Sequence, residues 1–184
     1  MEAIMKSCGS ILLFLLSVLF FGCPARSLHP LFTEKEAVFL PSLLGTWVEN
    51  DDLYTFEQAE GKRYKLVIRS RTEKDSSVFV VWSGKIGSSW YLDSYPMHNA
   101  QEHHYVSVHV FTKMILNGDT LRIATLEADW LSKMSSAKKL EVAHVQRENE
   151  IILTAPTHEL QKFIISIGDN QEAFPNPDAL VRLR

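Results

Sequence analysis

Four histidines that lie close together in the chain are the first residues whose type could support chemistry. His98, His103, His104 and His109 fall within a dozen residues, and Asp93 precedes them. On a strand, His103 and His109 would share one face roughly 20 Å apart, too far to bind one metal ion together. A metal site from the other histidines with Asp93 would need loops that fold back, and no His-x-His or Glu-x-x-His spacing supports it. We therefore expect solvated loop histidines, no metal and no cofactor.

The chain carries no motif of nucleophilic or phosphate chemistry. Gly-x-Ser-x-Gly is absent, and the Ser-Gly-Lys-Ile-Gly-Ser of residues 83–88 lacks the spacing of a phosphate-binding loop. Arg69 or Glu127 could act from inside the folded domain, but charged residues on alternating strands more commonly face water. The sequence therefore predicts a protein without catalytic residues or enzymatic activity.

Aromatic side chains are a better indication of a binding site. They recur on consecutive predicted strands, at Trp82, Trp90, Tyr91, Tyr95, Tyr105 and Phe111. If one face of these strands encloses a cavity, it suits an apolar small molecule, with Trp47, Trp82, Trp90 and Tyr105 as candidate lining residues. Trp82 and Trp90 follow each other across a short turn, which predicts that they are neighbours. The alternative is an interior filled by side chains, which we expect because small barrels are normally filled.

The elements that must position these residues are mainly strands. Alternating and β-branched segments follow one another by short links, and Asn117-Gly118 between two apolar runs is a strong hairpin signal. A second hairpin is predicted over residues 142–154, and residues 174–184 are predicted to form a turn and a short tail. An antiparallel meander of seven or eight strands tends to close or curl. The predicted fold is mainly β with helical decorations, either a barrel or a strongly curled sheet.

Three helices are predicted beside the strands. Thr33 and Glu36 have the spacing of a capping box for a short N-terminal helix over residues 34–40. Asp129 is the predicted cap of the second helix. The third starts near Thr157 and ends at Gly168, and its apolar residues recur at helical spacing, namely Leu160, Phe163, Ile164 and Ile167.

The N-terminal segment predicts export. Residues 11–21 are almost entirely apolar but are too few to span a bilayer, which needs roughly 20 residues. Lys6 precedes this run and small residues follow it, which is the layout of an export signal. We assign residues 1–22 to the signal, 23–32 to a tether and 33–184 to a single β-rich domain.

The site of signal cleavage determines how the protein is held. Leu19-Phe20-Phe21-Gly22-Cys23 resembles the lipobox of bacterial lipoproteins, in which a cysteine after a small residue is lipidated. The resemblance implies that Cys23 carries acyl chains such as palmitate, and two or more chains bind a membrane stably. The alternative is a cut after Ala25, with Cys23 and Ala25 as the small residues of an A-x-A-like site, which releases a soluble secreted protein.

Charge narrows the range of partners. The chain has 19 basic and 22 acidic residues and a net charge of −3. This balance provides no basic stripe for nucleic acid and no polybasic patch for anionic lipid. Any membrane association is therefore expected to depend on the acyl chains.

One short motif connects the chain to a known class of barrel. Gly45-Thr46-Trp47 resembles the Gly-x-Trp entrance of lipocalin-like barrels, which implies that Gly45 turns the chain into the first strand and that Trp47 plugs the closed end. The chain as a whole also resembles small uncharacterised bacterial envelope lipoproteins, on the segments Leu28–Phe32, Gly45-Thr46-Trp47, Val108–Phe111 and the predicted helix near Leu160. The hypothesis is therefore a lipid-anchored protein of the bacterial cell envelope with a structural or interaction role. A barrel-type carrier of an apolar small molecule is the alternative.

Overall fold

The protein forms a closed β-barrel with a second layer on its outside. The structure is a computed structural model that describes residues 23–70, 76–97, 106–148, 150–175 and 177–184. Within these ranges, eight antiparallel strands close the barrel, and a three-stranded sheet and two helices accompany it. The predicted mainly β fold is confirmed, with a barrel rather than a curled open sheet.

The elements are numbered in chain order. The strands are β1 (Arg26–Ser27), β2 (Gly45–Glu49), β3 (Asp52–Gln58), β4 (Tyr64–Ser70), β5 (Ser76–Ile86), β6 (Ser89–Pro96), β7 (Val110–Asn117), β8 (Thr120–Thr125), β9 (His144–Arg147), β10 (Glu150–Leu153) and β11 (Asp178–Arg182). The helices are α1 (Ala128–Ser136) and α2 (Thr157–Ile167), and a 3-10 turn covers Pro41–Leu43. The barrel order is β11-β2-β3-β4-β5-β6-β7-β8, and the outer sheet has the order β1-β10-β9.

The strand that closes the barrel is the segment predicted to be a tail. β11 pairs with β8 on one side and with β2 on the other, and its Leu180 is fully buried inside the barrel. The predicted hairpin of β9 and β10 forms, but β10 pairs with β1 outside the barrel. The barrel is therefore completed by the last strand of the chain instead of by the 142–154 hairpin.

The β7–β8 hairpin forms around the predicted glycine. Asn117 pairs with Thr120, so the turn residues are Gly118 and Asp119, and Gly118 has the positive φ of 57° that such a turn requires. β7 begins at Val110, directly after His109, whose backbone pairs with Ser27.

Residues 23–32, predicted to be a tether, are part of the folded domain. Ser27 and His109 exchange two backbone hydrogen bonds, of 2.9 and 2.8 Å, and Leu31 and Phe32 are buried. Phe32 lies so close to Gly84 that a Cβ at Gly84 would come within 2.4 Å of its ring. We call residues 23–40 the N-terminal strap, because Ala25, Leu31 and Phe32 in its middle pack on the outer face of the barrel.

The helix predicted over residues 34–40 is reduced to a single turn. The Glu36 carboxylate accepts the Thr33 backbone N–H at 2.9 Å, which is one of the two bonds of a capping box. The Thr33 hydroxyl donates to the same carboxylate at 2.6 Å, and the Glu36 N–H donates to the Thr33 carbonyl at 3.1 Å. From Val38 the chain is extended, and the Val38 N–H donates to the Ser83 carbonyl at 2.8 Å. The helix ends early because β5 offers the backbone a partner.

The two later helices pack over the strap and the outer face of the barrel. Leu160, Ile164 and Ile167 of α2 are buried, as the spacing predicted. Helix α1 begins one residue before Asp129, which lies in its first turn and is not the cap. Within the described ranges, neither helix has the length and hydropathy needed to cross a membrane.

Candidate functional site

The barrel interior contains a cavity of about 320 Å³. Ten apolar residues supply most of its wall: Phe56, Leu66, Ile68, Phe79, Val81, Leu92, Val110, Leu121, Ile123 and Leu180. Its polar residues are Tyr54, Ser94, Thr112, Thr125 and Asp178, and Pro24 of the strap also contributes. The interior is therefore only partly filled, in contrast to the expectation of a filled core.

One end of the barrel is closed by packed side chains. Trp47 is fully buried there, and its Nε1 donates to the Leu43 carbonyl at 2.9 Å. The Arg182 guanidinium lies 4.1 Å from the centre of the Trp47 ring and donates to the Leu44 carbonyl at 2.6 Å. Gly45 has a φ of 116°, and a Cβ there would come within 2.9 Å of Arg182 Nη1. A side chain at Gly45 would thus displace the arginine that covers this end.

The opposite end of the cavity carries carboxyl groups. β11 runs from Asp178 to Arg182, so Asp178 lies at the end away from the closed one. Burial raises the pKa of Glu49, and the nearby charge of Asp178 raises it further. The Tyr54 hydroxyl donates to Glu49 Oε2 at 3.2 Å. Burial and Glu49 raise the pKa of Tyr54, so this hydroxyl remains a donor. We call this the open end, defined by Glu49, Tyr54 and Asp178.

The hydroxyl groups within the cavity have partners in the barrel wall. Thr112 Oγ1 and Thr125 Oγ1 lie 3.1 Å apart, and Ser94 Oγ donates to the Val110 carbonyl at 3.5 Å. An apolar body can occupy the cavity without leaving these groups unpaired. No described wall residue is a lysine, arginine or histidine. Chemically, the arrangement can bind a small apolar molecule with a polar group at the open end.

The predicted lining residues lie elsewhere. Trp47 is at the closed end of the barrel. Trp90 packs against the same core inside the barrel, but it does not border the cavity. Trp82 packs against the hydrophobic core outside the barrel, which includes Phe32, Tyr91 and Leu160 and which we call the outer core. The Arg63 guanidinium lies 5.8 Å from the centre of the Trp82 ring. Tyr105 lies outside the described residues.

The prediction that Trp82 and Trp90 are neighbours is wrong. Trp82 pairs with Asp93 and Trp90 pairs with Lys85, so the two rings stand on opposite faces of the sheet. The aromatic residues that do line the cavity are Tyr54, Phe56 and Phe79. The alternation of Tyr54 and Phe56 in β3 was a sequence signal for these two residues, and the alternation of Phe79 and Val81 in β5 was the signal for Phe79.

His109 is not a solvated loop histidine. Its Nδ1 lies 2.7 Å from Oδ1 of the fully buried Asp93, and Asp93 Oδ2 accepts the Leu31 N–H at 2.8 Å. Burial raises the pKa of Asp93, and the hydrogen bond from His109 opposes this shift. The pair lies under the strap, outside the barrel, and holds the strap in place.

The remaining candidates form no second site. His98, His103 and His104 lie outside the described residues, and no group of three metal-ligating side chains occurs within the described ranges. Arg69 is exposed on the outside of β4. Burial raises the pKa of Glu127, which directly precedes α1.

Comparisons with models of protein families, with curated proteins and with solved structures gave no match. The fold and the cavity thus define the class: an eight-stranded antiparallel barrel with an apolar cavity closed at one end.

Proposed function

We propose that this protein is a non-enzymatic carrier that holds an apolar small molecule in its barrel. The observation that carries the proposal is the apolar cavity of about 320 Å³, closed at one end by Trp47 and Arg182. This volume is at the lower end of the range of small-molecule sites, so the ligand is compact. The placement of Gly45 and Trp47 at the closed end supports a lipocalin-like architecture for the carrier.

A substitution that fills the cavity tests the carrier function directly. Val110→Phe places a ring in the cavity wall, whereas Val48→Phe places the same ring on the opposite side of β2 from Trp47, outside the barrel. The Val110 variant should weaken binding of a neutral fluorescent probe such as N-phenylnaphthylamine on the order of tenfold or more, because its ring occupies the site.

The control variant should bind the probe like the unmodified protein. Native mass spectrometry of protein purified from its host should also show a co-purifying small molecule. Equal probe binding by both variants, or no probe binding by the unmodified protein, would contradict a carrier role and favour a structural or interaction role in the envelope.

We also propose that Cys23 anchors the protein in a bacterial envelope membrane through acyl chains. Cys23 is exposed, and the chain beyond it is fixed, since the Ala25 N–H donates to the Leu126 carbonyl at 2.7 Å. Ala25 is 2% exposed and belongs to the outer core. A cut after Ala25 would remove this residue from the fold, which favours cleavage before Cys23.

Fractionation tests the anchor. Cys23→Ser should move the protein from the membrane fraction to the soluble envelope fraction, whereas Cys8→Ser, within the signal, should leave it at the membrane. A mature amino terminus at Arg26 would show instead that the protein is secreted in soluble form.

A further inference from the structure

We infer that the ligand of the barrel carries an amino group, so that its apolar body lies in the cavity and its positive charge lies at the open end. This inference rests on the proposed carrier function and concerns the same cavity. The ligand binds in the cavity, and the carboxyl groups at the open end determine which ligands bind best.

The charge carried by the described wall of the cavity is one-sided. Asp178 is the only carboxylate or cation among its described wall residues. The charge of Asp178 raises the pKa of Glu49, and the hydrogen-bond partner of Glu49 is the neutral Tyr54 hydroxyl. A ligand carboxylate at this end would therefore meet like charges in a partly desolvated site, whereas an ammonium group would meet opposite charges.

Arg182 is held at the closed end of the barrel, away from Asp178. It lies at the far end of β11, where it covers Trp47 and donates to the carbonyls of Ser42 and Leu44. It is also 3.4 Å from Asp119. Its charge is therefore engaged at the closed end, and an anionic ligand finds no described basic partner in the cavity wall.

The apolar walls determine the orientation of the ligand. The hydroxyls of Thr112 and Thr125 pair with each other, so the interior offers little to a charged group. Burying an ammonium there would cost its hydration, while placing it beside Asp178 keeps it near water. The amino group is thus expected at the open end, within reach of Asp178 or Glu49.

Three naphthalene derivatives that differ only in their polar group test the inference. Naphthylmethylamine, naphthylmethanol and naphthoate would each compete with N-phenylnaphthylamine for the unmodified protein at low salt and neutral pH. We expect the amine to bind at least about tenfold more tightly than the carboxylate, a difference of about 1.4 kcal/mol. The difference should shrink as salt is added, because salt screens charges at the partly exposed end.

Matched variants locate the effect. Asp178→Asn should reduce the preference for the amine over the alcohol, and Glu172→Gln, which removes an exposed carboxylate that does not line the cavity, should not. The salt series on the unmodified protein gives an independent answer if the Asp178 variant folds poorly.

The outcomes separate this inference from the carrier function. An alcohol or carboxylate that competes as well as the amine, or failure of all three to displace the bound probe, overturns the amine preference alone. Failure of the probe itself to bind overturns the carrier function as well.

Discussion

Replacing Asp93 tests whether the buried carboxyl group holds the N-terminal strap on the barrel. Asp93→Ala removes the acceptor of two hydrogen bonds, one from Leu31 at 2.8 Å and one with His109 at 2.7 Å. Each buried donor left without a partner costs about 1–3 kcal/mol. Breaking a buried, paired carboxyl group costs about 3–5 kcal/mol in comparable cases. We expect Asp93→Ala to lower the free energy of unfolding by about 3–5 kcal/mol.

Asp93→Asn separates the hydrogen bonds from the volume of the side chain. The amide keeps one acceptor oxygen in nearly the same space but presents an NH₂ group to the second donor. Asp93→Asn should therefore lower the free energy of unfolding by less than Asp93→Ala does, by about 1–3 kcal/mol. Asp169→Asn is the control, because Asp169 is exposed and its contact with Lys113 is long, at 3.5 Å. This variant should change the free energy of unfolding by no more than about 0.5 kcal/mol.

Urea unfolding followed by tryptophan fluorescence measures these free energies, and hydrogen exchange at the Leu31 amide measures the attachment of the strap. In the Asp93 variants this amide should exchange faster than in the Asp169 variant. A loss below about 1 kcal/mol for Asp93→Ala, or unchanged exchange at Leu31, would refute the role given to this pair.

Two further predictions concern the outer core and the open end. Ile164→Ala should lower the free energy of unfolding in urea by about 2–5 kcal/mol, because Ile164 lies on the buried face of α2, whereas Ile165→Ala, at a position 60% exposed, should cost far less. Equally small losses for both variants would show that α2 is loosely attached. Burial and Asp178 raise the pKa of Glu49, so its contribution to stability is complete below the ordinary glutamate pKa and is lost as pH rises through the raised folded value. Glu49→Gln should therefore gain stability relative to the unmodified protein from about pH 4 upward, and a difference that does not vary with pH would contradict this.

Local patterns in the sequence were sufficient for most elements of the fold. Gly118 predicted the β7–β8 turn because few other residues adopt a positive φ without strain. The spacing of Leu160 and Ile164 predicted the buried face of α2, because a helix repeats every 3.6 residues. These features depend on residues close together in the chain, so a single sequence carries them.

The partners of each strand depended on contacts across the whole chain. β11 is short and follows a turn-like segment, so only its pairing with β8 and β2 shows that it closes the barrel. One bond of the predicted capping box formed, from the Thr33 N–H to Glu36, yet the helix after it did not, because the Ser83 carbonyl in β5 accepts the Val38 N–H. Local propensity was outweighed by a backbone partner that is distant in sequence.

The sequence by itself determined the antiparallel meander that forms most of the barrel and the positions of two helices, whereas export and a membrane anchor stay predictions. Only the tertiary structure decided which aromatic rings border the cavity, and that Asp93 and His109 are buried together. Alternation along a strand distinguishes its two faces, but in this protein both faces of β6 are buried, one by the barrel core and the other by the strap and α2. The pattern alone therefore could not tell the inside of the barrel from its covered outside.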